Sequence, residues 1–146
     1  MKKIIIINGP NINNIGKREP KLYGKININK YFYKIKKKYL NKNIKIKIYY
    51  YNSEGKIINK LHKIELNKEK ILGIIINAGA YSHTSLALSD TIKYINSYII
   101  EVHISNIFNR EKIRHKSLIS PFCNGIIIGL GLKVYEIGII SLILNN

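Results

Sequence analysis

Three arginines, four histidines and one aspartate stand out in a chain that otherwise uses lysine for almost every cation. Of its 25 Lys+Arg residues, only Arg18, Arg110 and Arg114 are arginine, and Asp90 is the single aspartate. Arginine keeps its charge when desolvated, and histidine titrates near neutral pH, so these types suit anion binding and proton transfer. Arg18 stands five residues before Tyr23 in the stretch IIIINGPNINNIGKREPKLYG, residues 4–24. The groups available for general acid–base work are Tyr23, His83, His103 and Glu101. His62 falls in a helical pattern and His115 follows Arg114, which reads as structural or solvated.

What is missing narrows the chemistry. There is no GxGxxG fingerprint and no GxxxxGK[ST] loop, so dinucleotide and nucleoside-triphosphate sites lack support. No acidic cluster follows the first apolar run, and no His/Glu or His/Asp pair has metal-ligand spacing. Cys123 is the only cysteine and reads as a small buried side chain. Acid–base chemistry without cofactor or metal is the expectation.

These residues need elements to position them. Residues 2–7 form a short apolar run that ends in a polar turn. Ile28, Tyr31, Phe32, Ile35 and Tyr39 recur at helical spacing over 28–40. Residues 44–50 alternate Ile with Lys, the pattern of a half-exposed edge strand. Ser53 can cap a helix carrying Ile57, Ile58, Leu61 and Ile64. Residues 71–76 read as a buried strand, Thr84 and Ser85 as the start of a helix reaching about Asn96, and 99–104 as a fourth strand. A fifth spans 125–128, and a last helix runs from about Val134 to Leu144. Five β–α units without repeats or linker predict one α/β domain over 1–146. Its fold is a flavodoxin-like three-layer sandwich with a five-stranded parallel sheet in the order 2-1-3-4-5.

Such sheets bind ligands beyond the carboxyl ends of their strands. Strand 1 exits into Asn8-Gly9-Pro10-Asn11, strand 3 into NAGAYSHTS (77–85), and strand 4 carries EVHISN (101–106) toward Arg110 and Arg114. Singly, each residue has a bland reading: Gly79 as a turn glycine, Asn11 as an Asx turn, His83 as a cap, His103 as a hydrogen-bonded core histidine. Together they favour a small, polyhydroxylated, anionic ligand. Asn77, His83 and Ser105 suit its hydroxyls, and backbone N–H groups at the helix start near Ser85 suit its anion.

The formal net charge of +17 raises nucleic-acid binding. The lysines, however, are spread along the chain beside Ile, Asn and Tyr, all types with A/T-rich codons, whereas a nucleic-acid footprint is a clustered patch. The densest run, Lys34 to Lys38, sits on a predicted helix as a solvated face. The start of the chain has too few apolar residues for a signal-peptide core, and no run approaches the roughly 20 residues of a membrane span. A cytoplasmic protein without membrane or nucleic-acid partner is expected.

The blocks NGPNINNIGKREPKLYG, NSEGKIINKLH, IINAGAYSHTSLALSD, IEVHISNIFNREKIRHKS and GIIIGLGLKVYE, in this order from Asn8 to Glu136, closely resemble type II 3-dehydroquinate dehydratase. The resemblance implies conversion of 3-dehydroquinate to 3-dehydroshikimate in the shikimate route, with no cofactor. It implies Tyr23 as general base, Arg18 as the loop arginine beside it, and Asn11 as the residue positioning a water at the enolate oxygen. His103 would be the general acid, with Glu101 beside it. Asn77, His83 and Arg114 would contact substrate hydroxyls, Ile104 and Ser105 the carboxylate, and Asp90 the site of a neighbouring subunit in a homododecamer, a tetramer of trimers. The chain departs from the family pattern at Ser89, where arginine is common, at Phe108, where histidine is common, and at Asn13-Asn14, where the family is apolar. From the residues alone, a flavodoxin-like FMN- or phosphate-binding module and a basic nucleic-acid-binding protein stay open.

Overall fold

A computed structural model describes residues 1–15, 27–67 and 70–146. Arg18 and Tyr23 lie outside the described residues. Five parallel strands, β1 (Lys2–Asn8), β2 (Ile44–Tyr50), β3 (Gly73–Asn77), β4 (Ile99–His103) and β5 (Gly125–Ile128), form one sheet in the order β2-β1-β3-β4-β5. The helices are α1 (Ile28–Leu40), α2 (Glu54–Leu66), α3 (Tyr81–Thr84, one turn), α4 (Leu86–Lys93) and α5 (Lys133–Leu144).

The isoleucine run of β1 is explained by cover on both faces. Successive strand side chains point to opposite sides, and here both sides are core. Ile4 and Ile6 pack with Phe32 and Ile35 of α1 and Ile139 and Leu142 of α5. Ile5 and Ile7 pack with Ile57 and Leu61 of α2 and Leu88 and Ile92 of α4. Each such side chain contributes about 1.5–3 kcal/mol relative to exposure, so a truncation such as Ile6→Ala would be costly. Among the described residues the edge strand β2 pairs only with β1, and Lys45 is exposed on it, which blunts the edge. On α1, Lys34, Lys36, Lys37 and Lys38 are exposed, a solvated face as expected.

Helix starts follow their caps. Asn27 accepts from the N–H groups of Asn29 and Lys30, Ser53 from Lys56, and Ser85 from Leu88. The helix expected to run to Asn96 stops at Lys93. The backbone N–H of Asn96 donates to Glu65 Oε2 of α2 at 3.1 Å, so a side chain takes the bond a longer helix would need. The helix is also preceded by a separate turn, because Ser85 is extended (φ −99°, ψ 99°) between α3 and α4.

The expectation of five β–α units needs a second correction. Between β4 and β5 lie three 3₁₀ turns, Ile107–Asn109, Lys112–His115 and Ser120–Phe122, and no α-helix. Asn106 caps the first turn by accepting from Phe108 N–H, Arg110 leaves it in extended conformation, and Pro121 sits in the last turn. None of the described helices is long and apolar enough to cross a membrane.

Candidate active site

The carboxyl ends of β1, β3 and β4 open into one cleft of about 130 Å³. Asn11, Asn77, His83, His103, Ile104, Ser105 and Arg114 all line it, so seven residues chosen from sequence meet in one place. Arg110 and Asn14 line it too. Sequence reasoning had marked Arg110 as rare but given it no role.

The β1 exit is shaped by backbone proximity. A Cβ on Gly9 would stand 2.5 Å from the carbonyl oxygen of Ala78, so only glycine lets the β1 and β3 loops touch. Asn11 adopts a left-handed conformation (φ 67°), which asparagine tolerates, and its N–H donates to Asn52 Oδ1 at 3.0 Å. Gly79 (φ 58°) makes the corresponding turn after β3.

Asn8 and Asn77 are register partners on β1 and β3 and face α5. Asn77 Nδ2 donates to the Tyr135 hydroxyl at 2.9 Å, and that hydroxyl donates to Asn8 Oδ1 at 2.6 Å. Tyr135 is fully buried, and burial pushes its phenol far up, so it stays a neutral donor. Asn77 Oδ1 accepts from Gly79 N–H at 3.2 Å. The Asn77 amide is thereby held in one orientation, with one Nδ2 proton left for a ligand. Sequence reasoning missed Tyr135 and Asn8; a tyrosine inside an otherwise apolar helix was the available signal.

On the opposite face of the sheet, Glu101 and His103 are two residues apart on β4 and therefore side by side. His103 Nε2 lies 2.8 Å from Glu101 Oε1. Glu101 is fully buried and does not line the cleft. Burial pushes its carboxyl up, but the His103 hydrogen bond and charge, with the Ser117 and Ser120 hydroxyls, outweigh this and hold it below its ordinary range. A carboxylate only accepts, so Nε2 carries the proton, and Nδ1 is the nitrogen left for a ligand.

His83 stacks on His103, ring centroids 5.8 Å apart and planes at 27°. Its Nδ1 lies 2.8 Å from the Lys116 carbonyl, which fixes the proton on Nδ1 and leaves Nε2 as an acceptor. Burial lowers its pKa; the Lys116 bond opposes this, while the charges of His103 and Arg114 add to the lowering. The pair thus divides into a neutral imidazole, His83, and one backed by a carboxylate, His103.

Arg114 Nε is 3.1 Å from Glu111 Oε1, and Arg110 Nε is 3.7 Å from Glu111 Oε2, so one exposed carboxylate braces both cleft arginines. Asp90, expected to reach a neighbouring subunit's site, lies outside this cleft, exposed on α4 beside a second hollow that includes His62 and Tyr94. Two expectations differ from what is found. Ser85 is buried with its hydroxyl used as a cap, so the helix start there is no part of the cleft's anion site. Cys123 is only partly buried, with its thiol pushed up to about 12, chiefly by burial. Ser89, in place of the family's arginine, is buried and donates to the Leu118 carbonyl at 2.9 Å. Phe108 is exposed, its ring 5.9 Å from that of His115. Among the described residues, no group of three or more His, Cys, Asp or Glu could hold a metal ion.

The sequence profile described as dehydroquinase class II matches residues 2–143. A 3-dehydroquinate dehydratase of Caldicellulosiruptor saccharolyticus is 49% identical over 142 residues, 97% of each chain. One from Clostridium botulinum is 44% identical over 146 residues, covering 100% of this chain and 97% of the relative. The crystal structure of type II dehydroquinase from Butyrivibrio crossotus superposes with a TM-score of 0.90 at 43% identity, covering 97% of both chains. With a cleft at the strand ends expected of its fold and near-complete coverage by these relatives, the chain belongs to the class II dehydroquinase family.

Proposed function

We infer that this protein is a 3-dehydroquinate dehydratase, a hydro-lyase that converts 3-dehydroquinate to 3-dehydroshikimate and water in the shikimate pathway. A base removes a proton from the carbon next to the ketone, and the electron pair moves onto oxygen as an enolate. The enolate collapses, a C=C bond forms in conjugation with the C=O, and the β-hydroxyl leaves with a proton as water. Tyr23 is the base, acting as tyrosinate. Tyrosine starts near pKa 10, and the fixed charge of Arg18 favours its ionised form. Asn11 positions a water at the enolate oxygen.

His103 is the general acid that protonates the leaving hydroxyl. The observation that carries this role is its geometry: a cleft-lining imidazole whose inner nitrogen meets a fully buried carboxylate, Glu101. Asn77, His83 and Arg114 hold substrate hydroxyls. Ile104 and Ser105 receive the carboxylate, largely through backbone N–H groups. No step calls on a cofactor or metal.

The protein acts in the cytoplasm as a homododecamer of four trimers, with Asp90 reaching a neighbour's site. Two features support assembly. Asp90 projects from the surface of α4, away from its own cleft. The outer face of α5 also leaves Ile137, Ile140 and Leu144 exposed at 38%, 45% and 81%, an apolar stripe at helical spacing.

The test is ultraviolet absorbance on mixing with 3-dehydroquinate, since the conjugated product absorbs and the substrate does not. Chelator-treated protein should convert it at an unchanged rate; activity that vanishes with EDTA and returns with zinc would refute the assignment. Asp90→Asn should raise KM and loosen the oligomer in sedimentation, and an unchanged profile with unchanged KM would remove the contact between subunits.

A further inference from the structure

The irregular segment between the second and third 3₁₀ turns reaches back beneath the cleft. Ser117 Oγ donates to Glu101 Oε1 at 2.6 Å, and Ser120 Oγ donates to Glu101 Oε2. Both oxygens of the buried carboxylate therefore accept from a hydroxyl, and Oε1 also meets His103. The segment is anchored on each side of Ser117. Lys116 offers its carbonyl to His83 Nδ1, Leu118 N–H donates to the Ser82 carbonyl at 2.7 Å, and Ser89 holds the Leu118 carbonyl. Ser120 N–H in turn donates to Ser117 Oγ at 3.2 Å, which aims that hydroxyl's own proton outward to Glu101.

We propose that Ser117 and Ser120 are positioning residues of the dehydration: by donating to both oxygens of Glu101 they keep the transferable proton on His103 rather than on the carboxylate. The proposal rests on the reading of His103 as general acid.

The physical reason lies in the two ways one proton can sit on the pair. In the first, Glu101 is ionised and His103 is an imidazolium with protons on Nε2 and Nδ1. In the second, the Nε2 proton has moved to Oε1, and a neutral imidazole keeps only Nδ1–H. A neutral imidazole is a far weaker acid than an imidazolium, so only the first form delivers a proton well. In a buried site, a carboxylate stripped of donors favours the second form. The two hydroxyls favour the first, because each stabilises negative charge on Glu101 and makes a weaker bond to a carboxylic acid. Among the described residues, Arg110 and Arg114, which line the cleft, the uncharged His83, and the Cys123 thiol, which the Glu101 charge helps to keep protonated, are the other titratable groups near the pair. The hydroxyls of Ser117 and Ser120 donate directly to the Glu101 carboxylate, so the serines supply the donors that decide where the proton sits.

The test is a double-mutant cycle in the full-length protein. Ser117→Ala/Ser120→Ala should lower kcat about tenfold, the lower end of what hydrogen bonds to a charged group are worth, with KM changed by less than about twofold. In a Glu101→Gln background, the same two substitutions should change kcat by less than about twofold. Ser117→Thr/Ser120→Thr, which keeps both hydroxyls, should restore most of the rate. In ¹³C spectra, the Glu101 carboxyl signal of the alanine variant should move toward the protonated position. Should the double variant unfold, Ser117→Ala alone carries the same comparison. Equal losses in both backgrounds, or an unchanged kcat in the alanine variant while His103→Ala is crippled, would overturn the proposal. A fully active His103→Ala would be a different failure, read from a different variant: it would remove the acid assignment and the serine proposal with it.

Discussion

Two buried polar networks lie under one cleft, on opposite faces of the same sheet, and they differ in charge. Toward α5, Asn8, Asn77 and Tyr135 share uncharged hydrogen bonds. Toward α4, Glu101, His103, Ser117 and Ser120 share a carboxylate and a titratable ring. The neutral network fixes a direction and has no proton to give near neutral pH. The charged network pairs a buried carboxylate with a cleft-lining imidazole, the group proposed to deliver a proton to the substrate. Breaking the first should cost stability and substrate positioning; breaking the second should alter rate and pH dependence.

The largest effect is expected at Tyr23, the proposed base, which lies with Arg18 outside the described residues. Tyr23→Phe keeps the ring and removes the reacting oxygen, and should lower kcat by roughly 10²–10⁴. Tyr49→Phe, on the edge strand, should be nearly silent. Arg18→Lys should move the acidic limb of the kcat/KM profile to higher pH, because lysine stabilises tyrosinate less well in a closed site. A lowered rate with an unmoved limb would leave Arg18 only a steric role.

Next comes the charged network's stability. The Glu101 carboxyl is held below its ordinary 4.5. The folded state therefore binds that proton less readily than the unfolded chain. Its contribution to stability is complete above about pH 4.5 and fades as pH falls through the lower folded value. Glu101→Gln should flatten this part of the stability–pH curve, measured by denaturant unfolding between about pH 3 and 6. An unchanged slope would mean Glu101 is not ionised in the native protein.

The neutral network should respond differently. Tyr135→Phe leaves Asn8 Oδ1 and Asn77 Nδ2 without their partner in the core. It should cost about 1–3 kcal/mol of stability and raise KM, with the shape of the kcat pH profile unmoved. A shifted profile would break the distinction between the two faces. Smallest of all, His62→Ala on the exposed face of α2 should stay within about 0.5 kcal/mol of the parent in stability and match it in rate.

The periodic parts of this molecule were legible from residues alone. Strand order followed from alternating apolar runs and helices, and the caps at Ser53 and Ser85 were visible as residue types at helix starts. The pairing of Glu101 with His103 came from the family resemblance, and the two-residue repeat of a strand is its physical reason. The contacts that complete both networks were not legible. Tyr135 lies 127 residues from Asn8, and Ser120 is 19 from Glu101 across irregular 3₁₀ turns whose path has no period. The early end of α4 was equally hidden, because it depends on Glu65 of another helix. Family resemblance, rather than periodicity, supplied the roles of Asn11, Ile104 and Ser105.

The most direct test of the account is the rate at which His103→Ala converts 3-dehydroquinate, followed by ultraviolet absorbance of the conjugated product beside the parent protein. The variant should fold, with a kcat lower by roughly 10²–10⁴. A His103→Ala protein turning over at the parent rate would contradict it, and would reduce the Glu101–His103 pair to a buried structural contact.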